Sequence, residues 1–392
     1  MSLPNVTINI ERSGLGGVAI TNDSIMGLCV TGVAVTDKLV LNTAYSIYST
    51  DDLEAIGITV DGTNAFAYNQ IKEFYDHAPA GAKLWIIVCA DTVTIADMVD
   101  KAIIGCQTKK MQLAAQGEIR VIGCSWKPAS GYTATALDGL DSLVVEAIGN
   151  ADSLASDLVA NITPAVFLLG ATQTLTVASL KNLTTMTNPR VGVVISATEG
   201  TYHASVGLAL GRLAAIPVQR KISRVKNGAL NVLKGWLTNG ETVEANESAL
   251  NGIHDKGYIF FRKFPTRAGY YFNGDHTCAP ATDDLHTICN NRVINKAVVI
   301  TYNTYVEEID EEVKIAADGT LDPSMIAYLQ AKIERAINLN MVGEISNFEA
   351  YINPAQNILS VPRLNIVLRI TPVGYMTDII VSLGFKNPAL TA

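Results

Sequence analysis

Lys83-Leu-Trp-Ile-Ile-Val-Cys89 follows one lysine with six apolar residues and no polar alternation. A strand with one wet face alternates polar and apolar positions, so this run reads as a strand buried on both sides. Three further short runs behave alike: Glu118 to Gly123, Ala165 to Gly170 and Arg190 to Ser196. Met26 to Val35 supplies a buried strand ahead of them. Between these runs lie helical patterns at Asn64 to His77, Ile95 to Ile104, Leu137 to Val159 and Ala204 to Ala215. In the first of these, Phe66, Ile71, Phe74 and Tyr75 gather near one face. Ser49-Thr50 ahead of Asp51-Asp52-Leu53-Glu54 marks a capped first turn. Buried strands separated by amphipathic helices predict a layered α/β body with a buried sheet.

Beyond residue 215 the pattern changes, and residues 216–257 are polar and turn-rich. Tyr258 to Arg262 reads as a strand and Val293 to about Glu312 as a helix that ends in acids. Asp322-Pro323 is a helix start, Asp as N-cap and Pro in the first turn, for a helix to about Met341. Leu364 to Ile370 and Met376 to Phe385 close the chain as strands. The expected organisation is an N-terminal strand arm with a glycine hinge over 1–20, an α/β body over 21–257, a C-terminal α+β domain over 258–375 and a strand arm over 376–392. In the first arm Val6, Ile8 and Ile10 alternate with polar residues, and Gly14, Gly16 and Gly17 follow as the hinge. In the last, Ile379, Val381 and Leu383 share one face.

The 392 residues are 48% apolar and 17% charged, against about 25% charged in an ordinary soluble domain. That excludes a disordered chain and leaves little charge to cover a free surface. The net charge is −8, and the one basic run, Arg220 to Lys226, reads as a solvated segment rather than a nucleic-acid site. No secretory signal is read at the N-terminus and no run reaches the roughly 20 apolar residues of a membrane span. The cysteines, four of them (Cys29, Cys89, Cys106, Cys124) in strand-like settings, read as reduced core residues.

No phosphate-binding loop, hydrolase nucleophile elbow or zinc-helix motif is present. His276, Cys278, His286 and Cys289 put two imidazoles and two thiols within fourteen residues, a donor set that zinc accepts. Their His-x-Cys and His-x-x-Cys spacing differs from that of common structural zinc sites, and an ordered loop is the expected reading. Asp283-Asp284 and the acids Glu307, Glu308, Asp310, Glu311 and Glu312 read as a solvated face or a surface for a basic partner. Trp85, Trp126 and Trp236 are too far apart in sequence to define a ligand cage. No catalytic residue and no cofactor is expected.

Several stretches together resemble one family. Ser46-Ile-Tyr-Ser-Thr-Asp-Asp-Leu-Glu-Ala-Ile-Gly57, the helix at Asn64 to His77 and Gly81 to Cys89 resemble the opening of contractile tail sheath proteins. Lys256 to Lys263, Gly269 to Thr277 and Asn291-Arg-Val-Ile-Asn-Lys-Ala297 are similar to that family's strand, glycine-aromatic segment and Arg-Val-Ile-x-Lys helix start. Met376 to Phe385 stands where the family has its C-terminal arm. The resemblance runs from about residue 18 to the end and is greatest to the compact sheaths of phages and related injection machines.

It implies a structural subunit that stacks as hexameric rings around a tail tube and contracts to drive the tube through a target envelope. The implied partners are other copies of the chain, the tube protein, and baseplate and tail-terminator proteins, without nucleic acid or membrane insertion. Neighbours are implied to be joined when N- and C-terminal strands of adjacent chains add to a sheet in a third. The implied locations are the host bacterial cytoplasm during assembly and a virion tail or injection-machine sheath afterwards. Two rival expectations stand beside it: an α/β enzyme with a loop metal site, and another homopolymeric tube or shell protein.

Overall fold

The computed structural model describes residues 23–171 and 179–385. Six strands form one sheet: β1 (Met26–Thr31), β2 (Ala44–Ile47), β3 (Leu84–Cys89), β4 (Val121–Ser125), β5 (Val166–Gly170) and β6 (Val191–Val194). Their order is β2-β3-β1-β4-β5-β6, parallel throughout except for β2 at the edge. The first strand is shorter than expected and stops at Thr31. The next backbone is taken by a side chain instead: Val33 N donates to Asn64 Oδ1 at 2.7 Å and Asn64 Nδ2 donates to Val33 O at 2.8 Å.

Alternate residues of each strand enter different cores, as the period-two geometry requires. Cys29, Ile87, Ile122, Cys124, Phe167 and Val193 meet the helices α3 (Ile95–Val99), α4 (Gln107–Ala114) and α5 (Ser142–Ala160). Leu28, Val30, Ile86, Val88, Val121 and Leu168 meet α2 (Ala65–Tyr75) and α6 (Val206–Ala214) on the other side. Both faces of the sheet are therefore dry, and each fully buried aliphatic or aromatic side chain contributes roughly 1.5–3 kcal/mol. All six cysteines are free and buried, though Cys106 precedes α4 rather than lying in a strand.

The capped turn expected after Ser49 is α1 (Thr50–Ala55), where Ser49 and Asp52 form a reciprocal capping box. The helix expected over Ile95 to Ile104 is only half that length. It ends at Val99, the chain turns through Asp100 in an extended conformation, and α4 begins separately at Gln107. Residues 216–257 contain turns, short 3-10 segments and one six-residue helix, α7 (Leu250–Asp255). The strand expected over Tyr258 to Arg262 pairs in a ladder only at Phe261–Arg262, with a single bridge from Ile259 to Val194.

The C-terminal part contains α8 (Ile288–Tyr305), α9 (Pro323–Asn340), and an antiparallel ribbon of β7 (Ile345–Ile352) and β8 (Ile366–Pro372). Asp322 caps α9 through Ser324 N at 2.8 Å, with Pro323 in the first turn as the sequence predicts. Helix α8 begins five residues before the expected Val293, N-capped by Thr287. Among the described residues no helix is long and apolar enough to cross a membrane.

The half-buried Glu73 of α2 turns its carboxyl toward the segment after β6. Glu73 Oε1 accepts from Ser205 Oγ at 2.9 Å and from the Thr198 hydroxyl, while its Oε2 is buried without a hydrogen-bond partner. Burial raises the Glu73 carboxyl to about 7, and the two hydroxyl donors oppose that only in part. A carboxyl raised above its unfolded value favours folding fully below the unfolded value near 4.5, and this contribution is lost as pH climbs through 7. Glu73→Gln should therefore resist urea better than the parent at pH 9, with little difference at pH 5. Equal differences at both pH values would show that Glu73 does not titrate in this range.

Candidate assembly site

The ribbon and the chain that leaves it form the surface of interest. On β7 and β8, Phe348, Ala350, Leu368 and Ile370 turn inward against α8 and α9, and Ile352 and Ile366 continue that face. The opposite face carries Glu349 opposite Arg369 and the half-exposed Tyr351 and Val367. Gln330 of α9 donates to Ala350 O at 2.9 Å and fixes the ribbon to the helix. The ribbon has only two strands, so each has an outer edge that pairs with no other strand among the described residues. An unpaired edge presents backbone N–H and C=O groups to any extended segment of suitable register.

After Pro372 the chain continues through Val373-Gly374-Tyr375 into residues 376–385. The strand expected over Met376 to Phe385 is absent: the segment has no strand partner among the described residues. Its apolar side chains are in the open: Phe385 is wholly exposed, Ile380 and Leu383 are 95% and 97% exposed, and Met376, Val381 and Ile379 are 88%, 76% and 75% exposed. A run this apolar and rich in strand-forming residues is an aggregation hazard unless another surface covers it. The reason for the missing strand is physical, since a strand needs a neighbour and no part of the described chain supplies one. Val6, Ile8, Ile10, Gly14, Gly16 and Gly17 lie outside the described residues.

The root of the segment is fixed. Tyr375 donates its hydroxyl hydrogen to Gln219 O, and its ring lies 4.8 Å from Lys221 Nζ. Gln219 in turn donates to Gly343 O at 3.1 Å, just ahead of β7. Thus the basic run Arg220 to Lys226 is a turn-rich segment whose Lys221 serves the C-terminal root and pairs with buried Asp275 at 3.6 Å.

The four metal-donor candidates are not brought together. Cys278 is fully buried in the body core, and its backbone bridges to Asn188 and Val191. Cys289 lies in the first turn of α8 beside Thr287, and burial raises its thiol to about 12. His286 Nδ1 contacts Asp283 O at 2.6 Å. His276 Nε2 meets His254 Nδ1 at 3.3 Å, and burial lowers His276 to about 4. The contact between His254 and His276 spans 22 residues and was not signalled by sequence spacing. Among the described residues no group of three or more His, Cys, Asp or Glu side chains is placed to hold a metal ion.

Open parallel sheets bind ligands where strand order reverses, which here lies between β1 and β4. The loops at that point are tied by the chain's own groups, Asn64 to Val33 as above and Lys127 N to Thr31 Oγ1 at 3.1 Å. The three tryptophans are also apart: Trp126 is in the core, Trp85 donates to Glu118 at 2.8 Å and Trp236 lies under Lys234.

The acids after α8 divide between two roles. Glu308 is internal to the fold, bonding Lys332 and accepting from Tyr328 at 3.1 Å. Asp310, Glu311 and Glu312 are exposed, and the first two lie beside an open apolar groove of about 590 Å³ that Tyr305, Leu329 and Leu368 help to line.

Comparison with solved structures places this architecture. The contracted helical sheath of the anti-feeding prophage is similar over 98% of this chain and 99% of that one, with a TM-score of 0.63 and 13% identity. The contracted sheath complex of the extracellular contractile injection system PVC is similar over 98% of both chains, with a TM-score of 0.57 and 14% identity. The sheath tail protein of Listeria innocua covers 89% of this chain and 92% of its own, with a TM-score of 0.52 and 9% identity. At these identities the likeness establishes the fold, which is the mixed α/β fold of contractile sheath subunits. No curated protein sequence matches the chain. Residues 3–276 match the family described as "DUF2586, N-terminal domain" and residues 284–390 match "DUF2586, C-terminal domain"; the chain belongs to the DUF2586 family.

Proposed function

We propose that this chain is the structural subunit of a contractile sheath, assembling with its own copies around an inner tube. The observation that carries the reading is the arm at 376–385, apolar, exposed and without a partner strand among the described residues, on a body with the sheath fold. In this reading the arm adds to the edge of the β7–β8 ribbon, or of an equivalent strand, in a neighbouring subunit. The alternating segment Val6 to Ile10, behind Gly14, Gly16 and Gly17, does the same toward another neighbour. Each subunit then covers the apolar surface that the isolated chain leaves open, and the low charge content fits a protein with little free surface.

The tube is the second partner of this reading. The exposed acids Asp310, Glu311 and Glu312 are the groups a basic tube surface would meet, and such binding would weaken as salt rises above about 0.15 M. Baseplate and terminator proteins would meet the two ends of the stack. The reading assigns the chain no reaction.

Negative-stain microscopy of the purified full chain tests it. The expected result is hollow striated cylinders or stacked six-fold rings. Compact monodisperse particles at high concentration, unchanged by the presence of a tube partner, would overturn the proposal.

A further inference from the structure

The ribbon ends at Pro372, and only Val373 and Gly374 separate it from Tyr375. Gly374 is not required there for lack of space: a Cβ on it would meet no atom within 4 Å, and its φ lies outside the left-handed region. What glycine supplies at such a position is rotational freedom, a swivel between a rigid ribbon and whatever follows. The swivel is nevertheless bridged, because Tyr375 is held by a segment 156 residues away in sequence. Exposure climbs from 36% at Tyr375 to 88% at Met376, so the hold ends within one residue.

The hold is made by residues 219–221. Gln219 O accepts from the Tyr375 hydroxyl at the far end of the ring, and Lys221 Nζ lies 4.8 Å from the ring centroid. These two residues are themselves tied on two sides. Gln219 Nε2 donates to Gly343 O at 3.1 Å, just ahead of β7, which joins the hold to the base of the same ribbon. Lys221 Nζ lies 3.6 Å from Oδ1 of Asp275, which is 2% exposed. Asp275 in turn accepts from Cys289 N at Oδ2 over 3.3 Å and from Ile288 N at its backbone oxygen over 2.8 Å. A lysine shared between a buried carboxylate and an aromatic face has little room to wander.

We propose that Gln219 and Lys221 form a socket for Tyr375 that sets the reach of the C-terminal arm, so that residues 376–385 leave from a fixed point instead of swinging about Gly374. Tyr375 is then a positioning residue: it acts through the arm it aims and need not touch the neighbouring subunit. The consequence in assembly rests on the sheath reading, whereas the socket is a property of the single subunit. If Tyr375 let go, the free chain would begin at Val373 and gain roughly 10 Å of contour length. A neighbour would then have to order those residues on binding, and a root held in advance removes that cost. The socket also gives the start of the turn-rich 216–257 stretch a task that its basic composition does not suggest.

The test uses the full chain with nitroxide labels at Thr377→Cys and Lys109→Cys. Both positions are exposed and all native cysteines are buried. In the isolated subunit Tyr375→Ala should broaden the distance distribution between the labels at least twofold. Tyr375→Phe keeps the ring over Lys221 but loses the hydroxyl, and should broaden it by a smaller, clear margin. Adding Gly374→Ala to Tyr375→Ala should narrow the distribution again in part, because it stiffens the swivel without entering the socket. In assembly, the critical concentration for tubes should rise at least tenfold in Tyr375→Ala and fall back in part with Gly374→Ala. A distribution in Tyr375→Ala as narrow as that of the parent overturns the socket, whether or not tubes form. Broadening with an unchanged critical concentration overturns its role in setting reach. Parent protein that forms no tubes, with Tyr375→Ala still broadened, defeats the sheath reading alone and leaves the socket standing. Should Tyr375→Ala not fold, Tyr375→Phe decides, and a distribution there that stays as in the parent overturns the proposal.

Discussion

Gly207→Val should leave the body unable to fold stably, and Gly207→Ala should lower its urea midpoint sharply. Helix α6 crosses α2 with backbone against backbone. A Cβ on Gly207 would lie 1.8 Å from the Gln70 carbonyl oxygen, and one on Gly211 2.3 Å from that of Phe74. Neither obstacle is the movable end of a side chain, so the helices must separate. Separation would open the core around Ile71, Phe74, Leu208 and Leu210, all fully buried. It would also break the Gln70 clamp, in which Oε1 accepts from Gly207 N at 3.1 Å and Nε2 donates to Ala204 O at 3.1 Å. Overpacking a tight core costs about 1–3 kcal/mol and more where backbone must move. Helix propensity returns at most about 1 kcal/mol for glycine to alanine, and the whole stability of a domain is only about 5–15 kcal/mol. Gly149 of α5 is the internal control, because a Cβ there meets no atom within 4 Å. Gly149→Ala should stabilise by about 0.5–1 kcal/mol. Equilibrium urea unfolding of the two alanine variants would show opposite shifts in midpoint; a shift of the same sign in both would refute the close-crossing argument.

The elements that could be read from sequence are those whose signals are local. The strands of the sheet are short apolar runs because both faces are covered, and Leu84–Cys89 and Val166–Gly170 came within one residue of their expected limits. The caps at Ser49 and Asp322 were equally legible, since a side-chain acceptor and the first turn lie within three residues of each other. What escaped was set by distant partners. Helix α4 buries Gln107, Thr108 and Gln112, so its inward face lacks an apolar period. Gln112 Nε2 donates to Ile119 O and Thr163 O, acceptors that no local pattern announces. The start of α8 was missed for the same reason, with Asn291, Arg292, Asn295 and Lys296 buried against the body and Asp23. In β7 the alternation is broken by a register shift between Ile345 and Asn347. Such an irregularity re-aims side chains and blurs the period-two pattern. The candidate site was legible in part: the sequence of residues 376–385 carries the tendency to form a strand, while the partner that would complete it is not in the described chain.

Deleting residues 376–392 should leave the subunit folded and abolish its assembly. Among the described residues of the segment, the side chains beyond Tyr375 stand in solvent and bury nothing of the body's core. Surface changes of this kind usually alter stability by less than about 0.5 kcal/mol, so the urea midpoint should hardly move. Assembly has the opposite sensitivity. A strand added to a foreign edge supplies a ladder of hydrogen bonds together with apolar burial worth about 25 cal/mol per Å², and both vanish with the arm. The effect on tube formation should therefore exceed a hundredfold. A point-substitution pair separates strand addition from a merely sticky tail. In an added strand Ile379, Val381, Leu383 and Phe385 would share one face, and Asp378, Ile380 and Ser382 the other. If the first face meets the neighbour's core, Val381→Asp should prevent assembly nearly as fully as the deletion, whereas Ser382→Asp, adding the same charge one residue away, should be tolerated. A nonspecific tail would respond equally to both. Striated cylinders of normal length from the truncated chain, counted by electron microscopy at equal protein concentration, would show that the C-terminal arm is not what joins the subunits.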